Sequence, residues 1–566
     1  MNRCWILGWS FYLAAATALS AETVRVSVVS QVFNAEGRSL PAVLAKLDEA
    51  AGQGADLVLL PQECVLSDGE TIPGPIANAI AQAAKRHRMY VVANLRERDG
   101  QKTFLTSFLL DREGNLVGKY RKSHKLPDES FDLGDELPVF PTEFGPVAMR
   151  IGTDRFFPEI DMVYAAQGAR IVLWSQAPEP VEDEHLQDFP SQGRAADMGI
   201  AIACARYAHP GPGWITNFYP PYCGCPIGRA YVIDREGQRI ASTARTGGVA
   251  TATLARSSLV AGRGPSRLPA FAPITAPVQI PPKKPWSKRR VRVSAIEAHV
   301  GVDELIARLD EAGRMQSDIV CTYEFVWIAG PDKRQIESMT AAAKQNLQRV
   351  AEKARQYKMY VLVAGVIDRI ERNEAILYDR EGKEAWRYHK IAKTHDEMIP
   401  GETAPVFDTD FGRIAARICA DEWMIELDRS FAVQGVDIVF TPTQSWGPDA
   451  LFRNLRDISR AMDGVNFLVE CTHPSTEPIH RSMIVDPTGT VIARSEYRRA
   501  GIVSAVIDLD ADRPPRWLRV YDPHKPGGYL PEYQPTQMPR VANDLRETIL
   551  ASRRPNLYAP LAPRAK

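Results

Sequence analysis

Val406-Phe-Asp-Thr-Asp-Phe-Gly-Arg-Ile-Ala-Ala-Arg-Ile-Cys-Ala-Asp421 repeats, without a gap, a stretch 267 positions earlier: Val139-Phe-Pro-Thr-Glu-Phe-Gly-Pro-Val-Ala-Met-Arg-Ile-Gly-Thr-Asp154. Gly152 stands where Cys419 stands. The same spacing relates Tyr164-Ala-Ala-Gln-Gly-Ala-Arg-Ile-Val-Leu173 to Phe431-Ala-Val-Gln-Gly-Val-Asp-Ile-Val-Phe440. Short periods mark solenoids; a period near half the chain marks duplication of a whole domain. A chain of 566 residues is too long for one core, so two related domains are expected, only the second with a thiol at this position.

Outward from this repeat the order of elements recurs. Val24–Ser30 reads as a strand, followed by an amphipathic helix near Ser39–Gly52, an apolar strand Asp56–Pro61, a second helix and the strand Met89–Asn94. Val291–Ile296, Asp318–Glu324 and Met359–Ala364 repeat it. Helical periods alternating with short apolar runs predict layered α/β domains. The expected boundaries are a leader at 1–21, a first domain at 22–260, a Pro-rich linker at 261–289, a second domain at 290–512 and a C-terminal extension at 513–566. A helix is expected near Val541–Ser552, in a tail whose aromatic residues anchor it on a neighbouring surface.

Residues 1–21 combine Arg3, an apolar run from Cys4 to Ala16 and small residues up to Ala21. That pattern predicts a cleaved signal peptide and a periplasmic or secreted protein; the run is short for a membrane span. The 69 basic and 69 acidic residues cancel, and no basic stripe suggests nucleic acid. The mature chain would keep seven cysteines, at 64, 204, 223, 225, 321, 419 and 471. Export permits disulfides but a large core does not require them, and Cys204 and Cys471, again 267 apart, read as buried core thiols.

Three residues of the second domain carry chemistry. Glu324 closes an apolar strand, Lys390 closes Trp386-Arg-Tyr-His-Lys390, and Cys419 closes Gly412–Cys419. Sites in α/β proteins gather at strand ends. A carboxylate can take a thiol proton, an ammonium can favour the thiolate and hold an oxyanion, and the Ala420 N–H would be a second oxyanion donor. Acyl transfer through a thioester is the chemistry such a set would perform. Taken singly, a cysteine after a strand is a core residue and a lone Glu or Lys is solvated surface. Neither His389 nor His395 has a further ligand set in the sequence, so no metal and no cofactor is expected.

These blocks resemble the nitrilase superfamily, the carbon–nitrogen hydrolases. Tyr120-Arg-Lys-Ser-His124 and Tyr388-His-Lys390 are similar to the family's lysine block, and Phe411–Asp421 to its cysteine block. Ser482–Gly489 and Arg553-Arg-Pro-Asn-Leu-Tyr558 also resemble family segments. The resemblance implies two tandem four-layer αββα sandwiches and a Glu324–Lys390–Cys419 triad supported by Glu397. It also implies a small amide-like substrate and assembly into dimers or larger forms. Glu129 lies seven residues after Lys122, as Glu397 lies seven after Lys390, which favours Lys390 over its neighbour Lys393.

The first domain departs from this pattern. Gly152 has no nucleophile, and Thr153, if on a strand, faces the other way. Gln62 falls at the glutamate position by count, with Glu63 there only if the strand bulges. With Lys122 and Glu129 these residues form a degenerate site, and the domain is expected to supply the packing surface that a second subunit supplies in relatives. In the second domain Ala420 replaces an aromatic residue and Ile425 a proline, and Ala420-Asp421 lies nearer the amidases than the nitrile hydrolases. Gln444 and Trp446 either line the pocket with Ala420 or, for Trp446, pack under its loop. The expected activity is hydrolysis of a non-peptide C–N bond; a thioester-forming N-acyltransferase, a nitrile hydrolase and a non-catalytic scaffold are the alternatives.

Overall fold

The computed structural model describes residues 22–32, 34–125, 129–176, 184–208, 229–280, 284–298, 301–324, 333–366, 372–394, 398–444, 450–474, 481–496, 500–510 and 545–563. Residues 1–21, where a signal peptide is expected, the segment 513–544, Cys223, Cys225, His395, Glu397 and Trp446 lie outside the described residues. The chain divides into two compact units, one containing Met1–Pro265 and the other Ser266–Arg516 with the C-terminal residues.

In the second unit Arg290–Glu297 is the organising strand. It pairs in parallel with Ile319–Glu324, and antiparallel along its whole length with Gly501–Asp508, so the two ends of the domain meet in one sheet. That sheet runs Glu384–His389, Asn373–Tyr378, Tyr360–Val366, Ile319–Glu324, Arg290–Glu297, Gly501–Asp508. A second six-stranded sheet runs Phe407–Asp408, Arg413–Ala416, Ile438–Pro442, Phe467–Cys471, Met483–Val485, Val491–Arg494. The central strands of both sheets are buried on both faces, as strands sandwiched between a second sheet and a helical layer must be. Helices Val302–Arg314 and Lys333–Tyr357 cover the first sheet, and Ala450–Gly464 covers the second, packed beside Ile425–Val433. Val302–Arg314 shows why such a segment folds so. Leu305, Leu309 and Ala312 form one buried stripe, Asp303 and Glu304 occupy the first turn and Arg314 the last, complementing the helix dipole.

The first unit repeats the αββα plan with its two half-sheets joined. Its strands run Leu116–Arg121, Lys102–Leu110, Tyr90–Asp99, Leu57–Leu59, Thr23–Val32, then Ala201–Ala208, Ile171–Ser175, Val147–Ile151, Val139–Phe140, with Gly248–Ala255 on Thr23–Val32. The join is a short parallel pairing of Ser30–Val32 with Arg206–Ala208. Ser39 caps helix Leu40–Gly52, whose Val43, Leu47 and Ala50 are buried.

Two expectations change. Part of the Pro-rich stretch is ordered: Pro269–Phe271 and Ala272–Thr275 form a 3-10 turn and a short helix packed on Ile425–Val433, because proline at the first helical turn sacrifices no hydrogen bond. The strand before Cys419 stops at Ala416. The C-terminal helix Leu545–Ala551 lies against the second unit, where Arg546 donates to Val436 O (2.6 Å) and Asp437 (3.0 Å), and Arg553 to Ile274 O.

A buried ion cluster fastens the helices to the strand that leads to Cys419. Arg417, fully buried, donates to Asp428 (2.5 Å), to Asp457 and to Thr441 Oγ1 (3.0 Å), and Arg460 also meets Asp428 (3.2 Å). The first unit holds Arg150 and Arg194 on Asp161 in the same place. Removing one member of such a cluster leaves an uncompensated buried charge. Arg417→Leu is therefore expected to destabilise the second domain by about 3–5 kcal/mol, read as a lower urea midpoint of its transition. An unchanged midpoint would show that the cluster contributes nothing net.

Candidate active site

Cys419 begins a 3-10 turn, Cys419–Trp423, and has a φ of 48°. That left-handed conformation strains a side-chain-bearing residue and is retained only where surroundings enforce it. Asp421, fully buried, does the enforcing. Its Oδ2 accepts the Ile418 N–H (2.8 Å) and the Tyr388 hydroxyl (2.7 Å). Its Oδ1 accepts the N–H groups of Ile391 (3.0 Å) and Ala392 (2.6 Å). One carboxylate thus ties the cysteine turn to the segment that carries Lys390. Burial pushes the Asp421 carboxyl above the usual range, against the pull of Lys390 and these N–H donors.

Lys390 is 3 % exposed and donates to Glu324 Oε1 (2.9 Å), which is 2 % exposed. Burial opposes the ammonium charge, but Glu324, Cys419 and Asp421 outweigh it and hold Lys390 above the usual lysine range. Lys393, the rival in sequence, is exposed. Glu324 Oε1 also accepts Asn373 Nδ2 (2.7 Å), and Oε2 accepts the Gln444 N–H (3.2 Å). The Gln444 carbonyl is 4.0 Å from Cys419 Sγ, so the Gln444 peptide bridges carboxylate and thiol. Ala420 is buried behind the turn. Cys419 is partly exposed, whereas Cys64, Cys204, Cys321 and Cys471 are buried thiols without disulfides. Burial pushes Cys64 up to about 12 and Cys204 up to about 11, keeping both as thiols. The structure brings the Glu324 carboxylate, the Lys390 ammonium and the partly exposed Cys419 into one neighbourhood. Among the described residues no group of His, Cys, Asp and Glu is arranged to hold a metal ion.

The first unit builds the same turn without the thiol. Gly152 has the same φ of 48°, and Asp154 accepts the Ile151 N–H (2.8 Å) and the Tyr120 hydroxyl (2.8 Å). A Cβ at position 152 would overlap Gln62 Oε1 and lie 3.8 Å from Lys122 Cε. Gln62 therefore fills the space that a side chain at position 152 would take. Glu63 turns away at a φ of 47° and pairs with Arg96 (3.1 Å). The expectation for Thr153 is overturned. Its hydroxyl accepts from Lys122 Nζ (2.5 Å) and donates to Glu129 Oε2 (2.7 Å), because position 152 is a turn, where strand alternation no longer applies. Lys122 also donates to His124 O (2.6 Å), so its ammonium is held by the protein itself. The Asp–Tyr clamps and Asn373 were not singled out in the sequence. The signal for the clamps is the recurrence of Tyr120 and Asp154 as Tyr388 and Asp421; Asn373, followed by Glu374 in Asn373–Tyr378, has no comparable one.

The Carbon-nitrogen hydrolase family model matches residues 23–263 and again 275–514. The chain belongs to the carbon-nitrogen hydrolase family. It is a tandem enzyme of the nitrilase superfamily whose first domain lacks the cysteine. Relatives include a citrullinase of Francisella tularensis, 28% identical over 253 residues, covering 40% of this chain and 86% of the relative. An omega-amidase of Bos taurus is 27% identical over 208 residues, covering 33% and 75%. Among solved structures, an amidase from Nesterenkonia sp. matches 41% of this chain and 96% of its own at 17% identity and a TM-score of 0.35.

In the half of this carbon-nitrogen hydrolase that lacks the cysteine, the turn itself can be probed. Gly152→Ala would add a strained side chain against Gln62 Oε1, and is expected to lower stability by about 1–3 kcal/mol in urea denaturation. The Gln62→Ala background should recover the steric part. An additive pair would show that the two residues do not meet.

Proposed function

We propose that the second domain is an amidase-type hydrolase in which Cys419 is the nucleophile, Glu324 the proton carrier and Lys390 the oxyanion stabiliser. The observation that carries this reading is the buried Glu324–Lys390 pair joined, through the Gln444 peptide, to a partly exposed thiol on a strained turn. Glu324 takes the proton from Cys419 Sγ, and the thiolate attacks the amide carbonyl carbon. The new negative charge falls on the carbonyl oxygen, facing the Lys390 ammonium and the Ala420 N–H. The C–N bond breaks as Glu324 returns the proton to the leaving nitrogen, which departs as ammonia or an amine. Glu324 then takes a proton from water, hydroxide attacks the thioester, the acid leaves and the proton returns to sulfur. Gln444 is proposed to border the pocket through its backbone, and Glu397 to support the lysine.

In the first domain Gln62 has an amide in place of a carboxylate that could act as a base, Gly152 has no sulfur and Lys122 is occupied by Thr153, His124 and Glu129. It is proposed to be non-catalytic. Residues 1–21 are proposed to direct export.

The test is turnover of linear amides and ureas, including citrulline and ω-amides after the names of the relatives, measured as ammonia and acid released, with amines added as alternative acceptors. Cys419→Ala is expected to lose at least about 10³-fold in rate, and Lys390→Met about 10²–10³-fold, while Gln62→Ala turns over normally. Retained turnover in Cys419→Ala would refute the assignment, and an amide formed with the added amine would make the enzyme an acyltransferase.

A further inference from the structure

We infer that Asn373 is a positioning residue that holds Glu324 as a carboxylate and thereby sets the lower pH limit at which Cys419 can be activated. The inference rests on the proposed Glu324–Lys390–Cys419 chemistry.

Asn373 opens the strand Asn373–Tyr378 and is 6 % exposed. Its Nδ2 donates to Glu324 Oε1 at 2.7 Å, beside the Lys390 bond to the same oxygen at 2.9 Å. With Gln444 N–H on Oε2, the carboxylate receives three donors. Donors of this kind favour the charged form over the acid. The opposite orientation of the amide would set an oxygen against the carboxylate, so the charge itself fixes which way Asn373 points. Its Oδ1 is then a buried acceptor without a hydrogen-bond partner among the described residues. A buried acceptor left unsatisfied is costly, and sites of function are where such costs are retained.

The duplicated domain supplies the control. Leu105 stands 17 residues before Lys122, as Asn373 stands 17 before Lys390. The backbone bonds agree: Lys122 N–H donates to Leu105 O at 2.8 Å, and Lys390 N–H to Asn373 O at 2.9 Å. The fold therefore has no need of an amide there. The copy that has Leu105 also has Gln62 and Gly152 for the carboxylate and the thiol, yet keeps the lysine, the tyrosine and the aspartate clamp. The amide accompanies the chemistry rather than the architecture.

The experiment uses iodoacetamide as the probe on the full chain, with Cys419 alkylation followed by peptide mass from about pH 5 to about pH 9. Asn373→Leu is expected to move the acid limb of the alkylation rate upward by about half to one pH unit, since losing a donor to the carboxylate favours its protonation. Asn373→Asp should move it further, a second carboxylate beside the first being repulsive, and Asn373→Gln should fall nearest the wild type. Leu105 shows that leucine is compatible with this position, and an unchanged Tm in Asn373→Leu would confirm folding. An unshifted acid limb in folded Asn373→Leu, with Glu324→Gln abolishing that limb, would overturn the inference alone. If Glu324→Gln leaves the profile unchanged, the triad reading fails and takes the inference with it.

Discussion

The structure around the site depends on one carboxylate. Asp421 accepts four hydrogen bonds, from the Ile418, Ile391 and Ala392 N–H groups and the Tyr388 hydroxyl. These partners come from two chain segments that otherwise belong to different sheets: the turn at Cys419 and the end of the strand that delivers Lys390. A positive φ at a cysteine costs free energy of order 1–3 kcal/mol, and charge-assisted hydrogen bonds to a buried carboxylate are strong enough to hold it. Lys390 and the thiol are thus positioned by the same anchor, and Glu324 is fixed in turn by Lys390, Asn373 and the Gln444 N–H. Removing water from this group makes each of these interactions stronger than it would be at the surface.

The duplication separates what the fold requires from what the chemistry requires. Both copies keep the aspartate clamp, the tyrosine, the lysine, the left-handed residue and the buried arginine–aspartate cluster beneath the turn. These residues therefore build the αββα sandwich and its strained corner whether or not a reaction follows. The copies differ at the thiol, the carboxylate and the amide beside it. In the first unit the space of the missing side chain is taken by Gln62, and the lysine is turned toward Thr153 and Glu129. In the copy without the cysteine the corresponding space is filled by the protein's own residues.

Much of this was legible from spacing. The repeat at 267 identifies Cys419 and Gly152 as equivalent, and the distance from the lysine to that position differs by only one residue between the copies, 30 from Lys122 and 29 from Lys390. Gln62 rather than Glu63 followed by count, since Glu63 adopts a left-handed turn instead of bulging the strand. Periodicity does not reach the corner: the strand rule applied to Thr153 gives the wrong face once the chain enters a 3-10 turn. Asp421 lies in the compared segments and Asn373 outside them, and the roles of both depend on partners 33 and 49 residues away in the chain, which no local pattern reports. The ordered prolines of 269–275 were hidden for a related reason, their helix being stabilised by packing on Ile425–Val433 rather than by propensity.

The most direct measurement of the central claim is rapid-quench mass spectrometry of the full chain during turnover of a short-chain amide. The account predicts a transient acyl adduct, a thioester, on the peptide containing Cys419, forming and decaying at rates that match steady-state hydrolysis. Turnover with no adduct on Cys419, or with an adduct on another residue, would contradict it.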